Sequence, residues 1–383
     1  LKNGKKLKRN YQFKNDELFT FNLLIMKKNL LYMLTAAAML AGCAKNDVVD
    51  SEINKEGNLI GFSTYKNISR GNPVDDNNEF LTKDNAFGVT AFIKINAVLN
   101  ENPYMGTTTG GIKIVSDRAK WTYAQASDQA YWPVNGELLD FYAYSPYGNP
   151  AITAKTFATT GLTLNYTVPA EETNQVDLMY AVATNQTKPD NGNSVTMPFK
   201  HALTQVHFAI GTSATNLFVD VEENGIQIHN LKNTGTFASS TETWTLNAEA
   251  APASYTVTSD AINEAGYEVK EGAQTFTPIG SADKALMLLP QTLTVNADVE
   301  TGNYLTINCK IYQKLADGTK IYLKGGDSKY VPVTVGISGN WARNQKITYN
   351  LNIGATAGIL DPIEFETDVE LWDLTEGGTI NVK

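Results

Sequence analysis

The histidines are the first candidates for chemistry, because imidazole is both a common metal ligand and a common general base. The sequence contains three of them, His201, His207 and His229. His201 and His207 are six residues apart in a strand-like segment, which predicts that they share one face of one strand at a separation of about 20 Å. Two side chains so far apart cannot bind the same ion. We therefore expect no metal site and no cofactor.

Sequence motifs for catalysis are also absent. The chain has no His-Glu-x-x-His, no Gly-x-Ser-x-Gly, no paired cysteines and no phosphate-binding loop. The acidic segment 75–79 offers oxygen ligands for calcium, but it lacks the spacing of an EF-hand loop, which favours a solvated loop. Carboxylate pairs from distant strands, as in glycoside hydrolases, stay open. The sequence otherwise indicates a protein that is not an enzyme.

The thiol of Cys43 has a different candidate role, as a site of lipid attachment. Two lysines follow Met26 and precede an apolar run at residues 30–41. This run has the length of a signal-peptide core and is too short to span a membrane as a helix. It ends in Leu40-Ala41-Gly42-Cys43, which resembles a bacterial lipobox, where a signal peptidase cuts and the freed cysteine is acylated. Two or more acyl chains anchor a protein stably.

The residues around this motif divide into three expected parts. Residues 1–25 are basic and begin with Leu1 instead of methionine, so we interpret them as an over-extended start that the mature protein lacks. Residues 26–42 form the predicted signal peptide. The polar residues 43–58 are expected to be a flexible tether between the lipid and the folded part.

Composition favours a folded, acidic protein. The formal net charge of −9 argues against a nucleic-acid partner, and the aromatic content of 10% is more than a disordered chain carries. Cys309 is the only other cysteine. Because Leu305, Ile307 and Ile311 share its expected strand face, the pattern predicts a small buried apolar side chain at this position.

Apolar residues with a period of two dominate the chain after residue 59. They alternate along residues 219–228, on both sides of an expected turn at Asn224-Gly225. The clearest hairpin surrounds Asp317-Gly318, a pair suited to a type I′ turn because both residues tolerate positive φ. These patterns predict an all-β fold of β-sandwiches, with one domain at residues 59–192 and another at 193–383.

Two aromatic runs could form a sugar-binding platform. They are Tyr131-Trp132-Pro133 and the segment that begins at Phe141. Alternation places Phe141 on one face of a strand, and Tyr142 and Tyr144 on the other. Because a partner sheet must bury at least one face, we expect core packing to explain these rings.

Several segments resemble, in the same order, the fimbrillin-like family of lipoproteins from Bacteroidales-type bacteria, the subunits of type V pili. The resemblance spans most of residues 40–372. After the lipobox, the segments that carry it are Leu59-Ile-Gly-Phe-Ser-Thr-Tyr65, Tyr131-Trp-Pro133, Leu139-Asp-Phe-Tyr-Ala-Tyr-Ser-Pro146, Val176-Asp-Leu-Met-Tyr-Ala181, Met197-Pro-Phe-Lys-His-Ala-Leu-Thr-Gln-Val-His-Phe208 and Asn340-Trp341.

The resemblance implies two transthyretin-like Greek-key β-sandwich domains in tandem, and a route of assembly. Such subunits reach the outer membrane as lipoproteins. An arginine-specific protease then removes the lipid and the first strand, and the open groove accepts a donor strand from another subunit. In this sequence the matching first strand is residues 59–65, and Arg70 is the expected processing site. The expected donor is formed by residues 368–372 and 379–383.

The resemblance thus implies a structural or adhesive subunit of fimbriae on the surface of the outer membrane. Its expected partners are other fimbrial subunits, the outer membrane through the lipid anchor, and ligands on host or bacterial surfaces. The alternative is a surface lipoprotein that binds glycans and does not polymerise.

Replacing Cys43 tests the lipid anchor. We expect Cys43→Ala to abolish incorporation of a clickable fatty acid in growing cells, because the acylated sulfur is gone. The matched control is Cys309→Ser, which should keep the label. Equal labelling of Cys43→Ala and the unchanged chain would contradict the anchor.

Overall fold

The computed structural model describes residues 55–64, 80–81, 85–280, 285–356 and 359–371. Residues 1–54, which include Cys43, lie outside these residues, as do Arg70, the acidic segment 75–79 and residues 379–383. The last four residues of the expected tether, 55–58, are described and form a 3₁₀ turn, in which Asn58 is bonded to Trp132. The expectation of a flexible tether is therefore wrong for these four residues. Within the described part, no helix has the length and apolar character needed to cross a membrane.

The described chain folds into strands joined by turns, which confirms the all-β class. Short 3₁₀ turns lie at Lys55–Asn58, Ala126–Asp128, Glu172–Asn174 and Val299–Thr301. The first half of the chain contributes the strands β1 (Gly61–Thr64), β2 (Ala86–Ile95), β3 (Val98–Leu99), β4 (Ile112–Ser116), β5 (Trp121–Tyr123), β6 (Leu138–Ser145), β7 (Ile152–Ala158), β8 (Gly161–Thr167), β9 (Met179–Gln186), β10 (Ser194–Met197), β11 (Lys200–His201), β12 (Thr204–Thr212), β13 (Leu217–Leu231), β14 (Thr234–Ala238) and β15 (Thr243–Leu246). The second half contributes β16 (Ala253–Thr256), β17 (Ile262–Gly266), β18 (Glu268–Lys270), β19 (Ala273–Thr275), β20 (Thr277–Ile279), β21 (Leu286–Leu288), β22 (Thr292–Leu293), β23 (Tyr304–Lys314), β24 (Lys320–Lys324), β25 (Val331–Gly336), β26 (Gly339–Asn340), β27 (Gln345–Ile353), β28 (Ala355–Thr356), β29 (Ile359–Leu360) and β30 (Glu364–Leu371).

A sheet with the strand order β11-β9-β6-β2-β4-β5 organises the first half; we call it the central sheet. Along β6, Phe141 belongs to one apolar core, and Tyr142 and Tyr144 belong to the other. All three side chains are buried. The predicted alternation is therefore confirmed, and the central sheet is covered on both faces.

Different strands cover the two faces. β1 and β10, a separate parallel pair, contribute their apolar side chains to the core on the Phe141 side. On the other side, the Tyr144 ring contacts Phe157 of β7 at a centroid distance of 6.1 Å. β7 belongs to a sheet with the order β15-β14-β8-β7.

Strand pairs connect the two sides of residue 192, the expected domain boundary. β10 and β11, which follow residue 192, pair with β1 and β9. β14, further along the chain, pairs with β8. A domain boundary at residue 192 would place the two strands of each of these pairs in different domains. The tandem transthyretin-like arrangement stays a prediction.

Two sheets of the second half enclose the larger apolar core. One has the order β20-β12-β27-β30, in which β12 and β27 are parallel. The other has the order β16-β13-β23-β24. Cys309 on β23 lies in this core without exposed surface, as do Leu305, Ile307 and Ile311. The prediction of a buried apolar cysteine is confirmed.

The expected turn at Asn224-Gly225 is wrong, because β13 continues through it. Val221 and Ile226 pair with Cys309 and Ile307 of the same neighbouring strand, β23, so the chain does not reverse. The extra residues form a bulge in which Asn224 has a φ of 53°. An Asn-Gly pair suits a bulge as well as a turn, because each of these structures needs a residue in the left-handed backbone conformation.

The hairpin around Asp317-Gly318 is confirmed, but its turn type is not I′. Only Gly318, with a φ of 87°, has a positive φ among these two residues. The Leu315 N–H donates to the Thr319 carbonyl at 2.9 Å, and the Gly318 N–H donates to that of Leu315 at 2.9 Å. This is a three-residue loop that ends in a left-handed glycine.

The burial of Cys309 predicts that its thiol reacts slowly in the folded protein. Burial raises the pKa of this thiol to about 12, so the reactive thiolate is scarce at pH 8. In a Cys43→Ala chain, we expect a chromogenic disulfide reagent to react with Cys309 only after unfolding in denaturant. Full reaction in native buffer within seconds would show that the core around β23 is open.

Candidate strand-binding groove

β1 lies between two segments that bond to its backbone or to the residues just before it. On one side, β1 pairs with β10 along its whole length. On the other side, the Ile60 N–H donates to the Ala130 carbonyl at 2.9 Å, and the Trp132 N–H donates to that of Asn58 at 2.9 Å. We define the space between β10 and residues 130–132 as the groove.

Alternate side chains of the first strand fill the groove. Ile60 is 0%, Phe62 5% and Thr64 8% exposed, whereas Leu59 is partly exposed. The sequence left open whether Leu59 or Ile60 faces inward, because alternation alone does not choose a face. The structure shows that the even-numbered residues do.

Three rings surround the ring of Phe62 in edge-to-face contact. Their centroids are 5.7 Å away for Phe87, 5.9 Å for Tyr123 and 6.2 Å for Phe141. Such pairs contribute about 0.5–1.5 kcal/mol each beyond the burial of apolar surface. The middle of the groove is therefore shaped for an aromatic side chain.

Two polar contacts from β5 define the ends of the groove. The Tyr123 hydroxyl donates to the Ile60 carbonyl at 2.9 Å. Burial raises the pKa of Tyr123, so this hydroxyl remains a donor at neutral pH. The Trp121 indole N–H donates to the Thr64 hydroxyl at 3.3 Å. At the end occupied by Thr64, the groove therefore offers the Trp121 indole N–H as a hydrogen-bond donor to a side-chain hydroxyl.

Gly61 allows a close approach between β1 and β10. A Cβ added at Gly61 would lie 2.6 Å from the hydroxyl oxygen of Ser194, its register partner. The next pair differs, because the Ser63 and Thr196 hydroxyls are 3.1 Å apart and share a hydrogen bond. The outward side of β1 is thus narrow at Gly61 and polar at Ser63.

Trp132 forms part of the wall of the groove. Its indole N–H donates to the Asn193 carbonyl at 2.8 Å, and its ring lies 6.0 Å from that of Phe141. The side chain is 2% exposed. Together with the burial of Tyr142 and Tyr144, this confirms core packing as the role of these rings.

The histidines lie in separate surroundings. The expectation that His201 and His207 share a strand is wrong, because β11 ends at His201 and β12 begins at Thr204. His201 Nδ1 lies 2.9 Å from a carboxylate oxygen of Asp177, and both side chains are buried. The described residues contain no group of three side chains suited to hold a metal ion.

The other two histidines have different neighbours. Burial, followed by the charge of Lys346, lowers the pKa of His207 to about 4. The His229 ring stacks on Tyr304 at a centroid distance of 4.4 Å, and its Nδ1 lies 2.9 Å from the Ser254 hydroxyl. Each histidine thus has its own set of neighbours in the described part of the chain.

Sequence reasoning missed the partner of the first strand. β10 buries Val195 and Met197 and exposes Ser194 and Thr196, a short alternation that was visible in the sequence. Its pairing with β1 joins residues 133 positions apart, so no local signal could have revealed it. Arg70, the expected processing site, follows β1 in the chain but lies outside the described residues.

A family model described as fimbrillin-like matches residues 73–372, which is most of the chain. The chain belongs to the fimbrillin-like family. The match includes both walls of the groove, while β1 lies before its first residue. Comparison with curated proteins gives no match.

Solved structures resemble this fimbrillin-like chain over nearly their whole length. A fimbrial protein from Bacteroides vulgatus is 18% identical, with a TM-score of 0.59 over 82% of this chain and 99% of that one. A candidate cell adhesion protein from Bacteroides uniformis is 17% identical, with a TM-score of 0.40 over 82% and 99%. At such identities, the likeness to the first structure concerns the fold alone.

Replacing Phe62 tests how strongly the groove stabilises its strand. We expect Phe62→Ala to lower the free energy of unfolding by about 3–5 kcal/mol, as for other buried phenylalanines. The matched control is Ser63→Ala, whose side chain faces outward and should cost about 1 kcal/mol or less. Denaturant unfolding followed by tryptophan fluorescence measures both. Equal stability of the two variants would show that the aromatic pocket contributes little.

Proposed function

We propose that this fimbrillin-like chain is a structural or adhesive subunit of cell-surface fimbriae. In this proposal it is exported as a lipoprotein through Cys43 and assembled by donor-strand exchange after proteolytic removal of the first strand at Arg70. The observation that carries the proposal is the groove. A short strand near the start of the folded part fills it, and that strand's partners all come from later in the chain.

Removal of β1 would create a strong binding site for another strand. The backbone groups of β10 and of residues 130–132 would lose their partners, and the pocket around Phe62 would open to water. An incoming strand can replace both the hydrogen bonds and the alternate side chains. Burial of Ile60 and Phe62 contributes about 2 kcal/mol for each side chain before the cost of ordering. An exchanging strand must bury similar groups.

The proposed location follows from the same route. The lipid on Cys43 anchors the uncut subunit in the outer membrane. Cleavage at Arg70 removes this lipid together with the first strand, and the subunit then joins a fimbria that extends from the cell surface. Its partners are other fimbrial subunits, with surface ligands of the host or of other bacteria for an adhesive subunit. No step in this route requires a catalytic residue, a metal or a cofactor in this chain, since the protease is a separate protein.

Cleavage at Arg70 should convert a monomer into a species that polymerises. We expect an arginine-specific protease to start assembly of the unchanged chain, because the uncut strand blocks the groove until its covalent link is broken. Arg70→Ala should stay monomeric after the same treatment. Size-exclusion chromatography with light scattering measures the products.

The matched control is Arg118→Ala, which removes an exposed arginine from another turn and should assemble normally. Equal assembly of Arg70→Ala and the unchanged chain would contradict the proposed cleavage site. A chain that is cut at Arg70 and remains monomeric would favour a glycan-binding lipoprotein that does not polymerise.

A further inference from the structure

The inward-facing residues of the first strand recur near the other end of the folded chain. Residues 60–64 read Ile-Gly-Phe-Ser-Thr, and residues 363–367 read Ile-Glu-Phe-Glu-Thr. An isoleucine, a phenylalanine and a threonine occupy alternate positions in the same order in both. In a strand, these three side chains point to one face.

The second copy of this pattern lies on an edge strand. β30 pairs with β27 in antiparallel register, and no described strand pairs with its other edge. Phe365 contacts the Tyr349 ring at a centroid distance of 5.6 Å. Glu364 and Glu366 are exposed. Unpaired backbone groups along such an edge are free to bond to another chain.

The pattern is buried less well on β30 than in the groove. Ile363 and Phe365 are both partly exposed, whereas Ile60 and Phe62 are at most 5% exposed. The isoleucine and phenylalanine side chains would therefore be buried more completely in a vacant groove than at the edge of their own sheet, and this term favours transfer. The ring of Tyr349, which Phe365 now covers, becomes exposed in exchange.

We infer that residues 363–367 of one copy occupy the groove that the first strand leaves in a second copy of this chain. Ile363 takes the place of Ile60, Phe365 that of Phe62, and Thr367 that of Thr64. This inference rests on the proposed strand exchange and names the segment, the register and the partner. One chain then carries both the groove and the strand that fits it.

The order of the residues sets the direction of the incoming strand. Phe365 enters between Phe87, Tyr123 and Phe141, and Thr367 meets the indole N–H of Trp121. Since isoleucine precedes phenylalanine and threonine in both segments, the incoming strand runs parallel to β10, as β1 does. The reversed direction would place isoleucine at the Trp121 end.

The outward side of the incoming strand also fits, with one adjustment. Glu364 brings a Cβ to the position of Gly61, so the exposed Ser194 hydroxyl must rotate away from its present position. Glu366 lies opposite Thr196, whose exposed hydroxyl can donate to the carboxylate. Both glutamates keep access to water.

The chain before β30 has enough length for transfer. Residues 354–362 link β27 to Ile363, and nine extended residues span about 30 Å. Within this link, β28 and β29 form a two-residue pairing. The Thr356 hydroxyl donates to the Asp361 carboxylate at 2.9 Å, and the Asp361 N–H donates to the Gly354 carbonyl at 3.0 Å. These few contacts are the ones that must open in the link. The strand can therefore leave β27 while the rest of its sheet remains paired.

Disulfide trapping tests the register directly. One chain carries Glu366→Cys and another carries Thr196→Cys, both with Cys43→Ser. The mixture is cut by the arginine-specific protease, allowed to assemble and oxidised with diamide. We expect a disulfide-linked dimer, because residue 366 takes the place of Ser63, the register partner of Thr196. Register partners on neighbouring strands are about 4.8 Å apart, which a disulfide spans.

The matched controls define what each result means. Ser63→Cys with Thr196→Cys in one uncut chain should give an internal disulfide and shows that the acceptor position works. Omitting the protease, or replacing Thr196→Cys by Ser194→Cys, should remove the crosslink between chains. Ser194, Thr196 and Glu366 are exposed and Ser63 is partly exposed, so cysteines at these four positions leave the cores intact.

Two outcomes would overturn the inference. Assembly that crosslinks Thr196→Cys or Ser194→Cys to Asn381→Cys, and never to Glu366→Cys, would identify residues 379–383 as the donor and leave strand exchange intact. Assembly that crosslinks neither donor would place the incoming strand elsewhere. Absence of any assembly after cleavage would instead contradict the proposed function itself.

Discussion

A sheet that is apolar on both faces must be covered on both, and this requirement shapes the first half of the molecule. The central sheet buries Phe141 on one side and Tyr144 on the other. On the Phe141 side, part of the cover is β1, a strand of only four residues. The sheet cannot shed that cover without exposing the ring of Phe141 and its neighbours. Removal of the first strand is therefore costly unless another strand takes its place.

Local alternation predicted much of the fold, because the side-chain period of a strand is a property of its own residues. It placed Phe141 opposite Tyr142 and Tyr144, and it placed Cys309 in a core, as the structure confirms. Turn chemistry was a weaker guide. Asn224-Gly225 has the residues of a turn but lies in a bulge, since both flanks pair with β23. Which of these forms arises depends on the neighbouring strand, not on the dipeptide.

The groove itself could be predicted only in part. The inward pattern of its strand was visible in the sequence, but the choice between Leu59 and Ile60 depended on where β10 and residues 130–132 lie. Those contacts join distant parts of the chain. The likeness between residues 60–64 and 363–367 was also visible in the sequence. It becomes informative only once the structure shows one segment in a groove and the other on the last strand of its sheet within the described residues.

The parallel ladder between β12 and β27 has a consequence under mechanical load. In a filament, tension would reach the subunit at the groove, on the side where the chain enters β12, and at the strand that follows β27. The two ladder strands would then be pulled in opposite directions along their length. Such a load shears all the hydrogen bonds of a nine-residue ladder together, whereas pulling at one end of a hairpin opens its bonds one at a time. In the proposed filament, this pair of strands would therefore resist tension through all nine residues of the ladder at once.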